Sequence, residues 1–187
     1  MKRNVQLFLL FSAFALPVLL PAQRLFTRDA KVTFDATSKG SPERVDALNK
    51  SGTLVLDIAS SRVESAVLVS NFLFEKALMQ EHFNENYMES SKFPKATFKG
   101  KIEDPGKVDF KQDGTYTPML SGDLTIHGVT KPVKVPATIT VKGGKVTATT
   151  TFKVALTDYG IDIPSVVSDK LAKEAKITIE SALEPMK

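Results

Sequence analysis

Strict alternation of apolar with other residues governs the carboxy-terminal half of this chain. Val146, Ala148, Thr150, Phe152, Val154 and Leu156 share one parity, and Thr147, Thr149, Thr151 and Lys153 share the other. Successive side chains of a β-strand point to opposite faces, so the pattern describes a strand with one buried and one wetted face. Val133, Val135, Ala137, Ile139 and Val141 repeat it just upstream. Lys142-Gly143-Gly144-Lys145 separates the two runs, and a Gly-Gly pair accepts the positive φ of a two-residue hairpin turn. Asp113-Gly114 predicts a second hairpin, joining a strand near Ala96–Phe110 to one near Thr115–His127. Val32/Phe34, Leu54/Leu56/Ile58, Ala66–Asn71 and Ile177/Ile179/Leu183 supply shorter strands. Connections this short predict one antiparallel meander.

One segment breaks the period. Leu78, Met79, Phe83 and Tyr87 recur at helical spacing, with Glu75, Lys76, Glu81, Glu85 and Asn86 on the other faces. This predicts a single amphipathic helix over residues 74–87, ending before Pro94. Such a helix does not hold together alone in water, so its apolar stripe must pack on the sheet or plug an opening. Residues 166–174 form a second, weaker helical candidate. The fold class is therefore mainly β. Eight or so antiparallel strands with one apolar face form a sandwich or close into a barrel, and closure removes the exposed edges. An eight-stranded barrel encloses room for packed side chains or one slender ligand. Several inward positions are small (Ala96, Gly100, Gly122, Ala137, Ala148, Thr150). They leave either open volume or space for close packing against the helix.

The amino terminus reads as a targeting segment rather than as part of the fold. Lys2 and Arg3 precede a run from Leu7 to Leu20 that is apolar apart from Ser12, and Pro21-Ala22 follows. A basic start, a short apolar stretch and a small residue predict a secretory signal peptide over residues 1–22, cleaved after Ala22. The run falls short of the roughly 20 apolar residues of a membrane-spanning helix. Residues 23–187 then make one domain in an exported protein, periplasmic or extracellular, with no stable membrane span. The chain has no Cys, so stability comes from the core alone. Its formal charge of +4 rests on 25 basic and 21 acidic residues. Losing Lys2 and Arg3 halves the excess. The lysines are scattered over turns and strand edges, which argues against a nucleic-acid partner.

Few residues can carry chemistry, since there are only two His. His82 and Glu85 share a helical face with Glu89, and Glu81 lies beside them. Di-iron bundles draw an inward Glu-x-x-His motif from each of two helices; one helix here makes the set a solvated acidic face first and a metal site second. His127 has the parity of Met119, Ser121, Asp123 and Thr125, which places it on the outer face or at the rim beside Gly128. No nucleophile elbow accompanies it. Tyr159, in Asp158-Tyr159-Gly160, either meets a ligand's head or caps a corner. Gly143-Gly144 lacks the helix start of an anion site. The residues favour no enzyme, no cofactor and no resident metal.

Three stretches together carry a likeness. Glu81-His82-Phe83 runs on through Lys92-Phe93-Pro94 to Thr97-Phe98 as a helix-to-strand passage. Gly122-Asp-Leu-Thr-Ile-His-Gly-Val-Thr-Lys-Pro132 forms a hairpin, and Phe152 with Asp158-Tyr159-Gly160-Ile161 forms a corner. From about Phe26 to Leu183 the chain resembles the YceI-like family of lipocalin-like barrels. The resemblance implies an extended eight-stranded antiparallel lipocalin-like barrel with one short amphipathic helix at its mouth. It also implies a long isoprenoid-type lipid, polyprenyl or quinone-like, held in the lumen. The expected lining is Phe72, Phe74, Leu78, Phe98, Ile126, Phe152 and Val154, with His82, Lys92 or Tyr159 at the rim for a polar head. The chain departs from the family pattern in a charged insert around Ser41-Pro42 and in having no Trp. Two other classes stay open: a ligand-free envelope stress or scaffold protein, and a metal protein or enzyme built on His82. Any homo-oligomer is expected to be a two-fold dimer.

Overall fold

In this computed structural model, residues 24–167 and 170–186 are described. Ten strands follow in chain order: β1 (Arg24–Thr37), β2 (Asp46–Asp57), β3 (Arg62–Leu68), β4 (Leu73–Phe74), β5 (Lys95–Ile102), β6 (Gly114–Tyr116), β7 (Met119–Ile126), β8 (Val129–Lys142), β9 (Lys145–Ala155) and β10 (Leu171–Pro185). Eight of them pair antiparallel in the circle β1-β10-β9-β8-β7-β5-β3-β2, and β2 pairs back onto β1. The result is a closed eight-stranded barrel: the meander is what the alternation predicts, and the closure is what the family likeness implies. The two short pieces are additions: β4 pairs with β2 and β6 pairs with β8. The β8–β9 connection turns at Gly143 and Gly144, with φ of 56° and 75°. The alternating residues of β8 and β9 face inward.

The barrel is closed by β1, which runs alongside both β2 and β10; Asp35 faces Asp46 on one side and Lys176 on the other. Both ladders slip between Phe26 and Val32, an irregularity that bends a strand and increases its twist. On the opposite wall Gly100 of β5 is registered with Gly122 of β7. A Cβ on Gly100 would stand 2.9 Å from the Gly122 Cα and 2.5 Å from the Phe98 ring. The missing side chains let these strands approach and let Phe98 lie down over the glycine floor.

Two apolar clusters occupy the interior. At one end Leu25, Leu56, Ile102, Ile139, Val141, Val146 and Leu183 pack together, each at most 5% exposed. Val108, from the long β5–β7 connection, joins them, with Phe110 and Tyr116 against the outside of the cluster. This end is plugged. The other end holds Val32, Phe72, Phe74, Phe83, Met88, Leu124, Val154 and Leu156 around a partly open space. Over it lies the lid, α1 (Ala77–His82), continued by one π-helical turn at Phe83–Tyr87. The π turn makes Met88 N–H donate to the Phe83 carbonyl (2.9 Å), and it turns both of those side chains inward while α1 itself buries nothing.

Three local expectations are corrected. The helix begins at Ala77 rather than Phe74, because Phe74 is claimed by β4 through its pairing with Ala47. Asp113-Gly114 is no hairpin between neighbouring strands. β5 ends at Ile102 and pairs with β7, Phe110 lies outside any strand, and β6 is drawn to β8 instead. The Asp113 carboxylate accepts a hydrogen bond from the Gly143 N–H (2.9 Å), so it ties its loop to the β8–β9 turn. Finally, the helical candidate over 166–174 gives a short 3-10 turn at Ser165–Val167 and then β10, which is held as strand by pairing with β1 and β9.

Candidate functional site

The open space has two chambers in series. The inner one, about 140 Å³, lies within the barrel between Val32 and Ile177 on one side and Phe98, Leu124, Ile126 and Phe152 on the other. Its lining is apolar apart from Ser65, Thr97 and Thr150. The outer one, about 320 Å³, lies under the lid among Ala36, Val45, Phe74, Met79, Tyr87, Ile163 and Leu171. Phe34, Phe83, Met88, Leu156 and Ile161 line both, so these five form the throat.

An aromatic group shapes that throat. The Phe34 ring stands 6.5 Å from Phe72, 6.3 Å from Phe74 and 5.4 Å from Phe83, centroid to centroid, and Phe74 lies 4.9 Å from Phe83. The edge-on and tilted angles (52–69°) are those favoured by the ring quadrupole. Four different segments contribute: β1, the β3–β4 connection, β4 and the lid. The lid is thus fastened to the barrel by rings that themselves line the passage.

Of the two chambers, charge gathers at the outer one, whose lining includes Glu43, Lys76 and Lys170, together with His82. The Lys76 ammonium donates to Glu43 Oε1 at 2.6 Å, and Lys170 approaches Oε2 at 3.3 Å. The Lys76 hydrogen bond, followed by that of Lys170, holds the Glu43 carboxyl below its ordinary range, and Glu43 in turn raises Lys76. One carboxylate therefore holds two ammonium groups at the edge of an apolar cavity.

The sequence-derived residues divide by position. Phe72, Phe98, Ile126, Phe152 and Val154 line the inner chamber. Phe74 and Leu78 line the outer one, Leu78 at its edge with 62% exposure. Of the three rim residues, His82 lines the mouth. Lys92 sits on the outside, over the Phe93 ring (4.9 Å) and 3.8 Å from Glu89. Tyr159 is buried in the corner after β9, and burial, with Asp158 beside it, pushes its hydroxyl pKa up. It lines neither chamber. Glu43, Lys76 and Lys170, which do, lie 33 and 127 residues apart in pairs, and no local motif marks them. Phe34 reads from sequence only as a strand residue.

His127 and Glu89 also find their places. His127, in the β7–β8 turn at φ 50°, has Nδ1 3.2 Å from the Tyr159 carbonyl and Nε2 2.9 Å from Glu89. The Phe93 ring packs edge-on against the imidazole at 4.6 Å. Glu89 is therefore turned away from His82 and Glu85 and joins the lid's far end to the hairpin. Among the described residues no three His, Asp or Glu side chains form a group able to hold a metal ion. No helix among them is long and apolar enough to cross a membrane.

A closed eight-stranded antiparallel barrel with a helical lid at one end is a narrow description, and the profile of the YceI-like domain matches residues 24–183. The chain belongs to the YceI-like family. A UPF0312 protein of Pseudomonas syringae pv. tomato is 27% identical over 139 residues, 69% of this chain and 68% of the relative. A second UPF0312 protein, from Pseudomonas savastanoi pv. phaseolicola, is 27% identical over 64% of each chain. The chain thus spans about two thirds of the length of these relatives. Among solved structures, a polyisoprenoid binding domain from Saccharophagus degradans superposes with a TM-score of 0.75 at 9% identity, covering 88% of this chain and 99% of that one. Burkholderia cenocepacia BcnA gives 0.65 at 18% identity, covering 83% and 96%. The Campylobacter jejuni YCEI protein gives 0.60 at 20% identity, covering 79% and 88%. At these identities the likeness establishes the barrel fold.

Proposed function

We propose that this protein is an exported carrier that holds an isoprenoid-type lipid, polyprenyl or quinone-like, with its tail in the barrel and its polar head at the mouth. The observation that carries the reading is the lumen itself. It is a continuous apolar passage, plugged at one end and covered at the other by a lid whose own rings line it. Burial of an apolar tail there gains about 25 cal/mol per Å² removed from water, from which the cost of ordering a flexible chain is subtracted. The head would meet Glu43, Lys76, His82 and Lys170, the polar side chains of the outer chamber. The name of the Saccharophagus degradans neighbour, a polyisoprenoid binding domain, supports the same class of ligand. The start of the sequence supports export, and residues 23–187 would be the mature domain. A carrier needs no catalytic residue, and the inner lining offers no titratable side chain for one.

Native mass spectrometry of the protein purified from its host's envelope, followed by lipid extraction of the same sample, tests this. A retained species of prenyl or prenylquinone mass is expected. A bare polypeptide mass, unchanged after incubation with polyprenols and quinones, would instead establish the ligand-free role.

A further inference from the structure

The rim of the mouth carries an apolar face on its outside. Among the described residues the exposed large apolar side chains are Leu68, Leu73, Leu78 and Met186. The first three, at 41%, 63% and 62% exposure, fall between the end of β3 and the start of α1. Alternation turns two of them outward: Val67 lines the inner chamber and Phe74 the outer one, so Leu68 and Leu73 beside them face away from the lumen. Leu48 of β2 is the register partner of Leu73 and shares its side, its own neighbours Ala47 and Asn49 being buried. The Asn49 side-chain amide donates to the Leu68 carbonyl (2.9 Å), which ties the end of β3 to the same stretch of β2. Leu78 belongs to both sides, lining the edge of the outer chamber while it stands in water.

We propose that this face seats the mouth on a lipid bilayer, with Leu68, Leu73 and Leu78 entering the headgroup region. The choice of a bilayer rests on the carrier reading: a prenyl tail leaving the outer chamber passes Leu78 straight into lipid and never crosses water. Size favours the same occupant. The patch is of the few-hundred-Å² class that marks a functional surface, well short of the roughly 800 Å² that each partner gives to a stable protein interface. A shallow apolar face of that extent suits reversible interfacial binding. Charge agrees. Lys50, Lys76 and Lys95, the last in register with Leu68, stand on these segments against Glu75 and Glu81, all exposed. Three positive charges against two give a strongly charged partner no grip, and lysine stems lie along an apolar surface with their ammonium groups in water. At the plugged end Met186, bonded to the Arg24 carbonyl through its N–H, is the one exposed large apolar side chain among the described residues.

Flotation of the protein, purified from its host's envelope, with vesicles of about one phosphatidylglycerol to three phosphatidylethanolamines reads this directly. The double variant Leu68→Ser, Leu73→Ser should partition onto the vesicles about tenfold less than the unmodified protein, and Met186→Ser should partition equally well. The chain has no Cys, so one introduced thiol carries a dye at one place. An environment-sensitive dye on Leu73→Cys should shift to shorter emission wavelength on the vesicles, and the same dye on Met186→Cys should not. Leu73 lines neither chamber, so its dye reports the outer face, and it decides the matter if the double variant does not fold. Absence of flotation by the unmodified protein, equal loss in the Leu and Met186 variants, or no shift at position 73 overturns the docking face. A dimer in solution that the double variant dissociates also overturns it, since the leucines then belong to a second copy. Retained prenyl mass reads the carrier function separately. Protein that floats but holds no prenyl lipid overturns the carrier reading alone, and protein that holds the lipid without floating overturns the docking face alone.

Discussion

His127 shows how a single side chain can hold parts of the molecule that are far apart in sequence. Its ring reaches Tyr159 O, 32 residues on, and Glu89, 38 residues back, with Phe93 against its face. Each ring nitrogen thus faces an oxygen, the Tyr159 carbonyl on one side and the Glu89 carboxyl on the other. The side chain is only 12% exposed, and truncation would leave the partners short of a donor in a half-buried place. His127→Ala should lower stability by about 1–3 kcal/mol, read by thermal or urea melts. It should leave the lipid content of the protein unchanged, because the residue lines neither chamber. A variant with unaltered melting and altered lipid selectivity would move His127 from a strut to a ligand contact. The alternation of β7 put this residue at the rim, but the partners were not legible: both come from segments whose approach depends on barrel closure.

At the scale of elements, the readable parts were those whose signal is local. The strands of β8 and β9 declare themselves by period, and Gly143-Gly144 declares the turn between them because positive φ is required there. Asp113-Gly114 offers an equally good local signal and was misleading, since β5, β7 and β8 choose partners by burial along whole strands. The lid shows the same limit. Its helical spacing is plain from sequence, whereas the π turn that directs Phe83 and Met88 inward is set by what lies beneath. Phe83 is 8% exposed in contact with Phe34, Phe72 and Phe74, while Leu78, one turn earlier, is 62% exposed. Phe83→Ala should therefore lower stability by about 3 kcal/mol and speed release of a bound prenyl alcohol. Leu78→Ala should shift melting by no more than about 0.5 kcal/mol. Equal effects of the two substitutions on melting and on dissociation rate would mean that the lid is not fastened through its ring cluster.

At the scale of the whole molecule, Glu43 connects the β1–β2 loop, the lid and the approach to β10 around the mouth. Its place was invisible in the sequence, because only the closed barrel brings Lys76 and Lys170 to it. Three carboxyls lie below their ordinary values: Glu43 through Lys76 and Lys170, Asp57 through the Ser60 backbone N–H and then Arg24, and Asp104 through Lys107. A depressed carboxyl binds fewer protons in the folded state than in the unfolded chain, so stability rises with pH across its range. The contribution is complete above the ordinary values of 4.5 for Glu and 3.8 for Asp, and it is lost as pH falls through the lower folded values. Lys76 and Lys107 are raised above 10.5, so their contributions persist through neutral pH and are lost only as pH rises through the raised values. The melting temperature should be level from about pH 5 to 9 and decline in acid below that. The cationic partners Arg24, Lys76 and Lys107 are exposed, so the decline should also shrink in high salt. Glu43→Gln should start from a slightly lower melting temperature at neutral pH and show a shallower decline in acid, since one of the three carboxyls no longer titrates. Melts recorded from pH 7 to pH 3 for both proteins decide the point: parallel curves would show that Glu43 takes no part in fastening the mouth. A mouth that loosens first in acid would also let a bound tail leave before the plugged half of the barrel unfolds, because the two apolar clusters are packed by different residues on either side of Phe98.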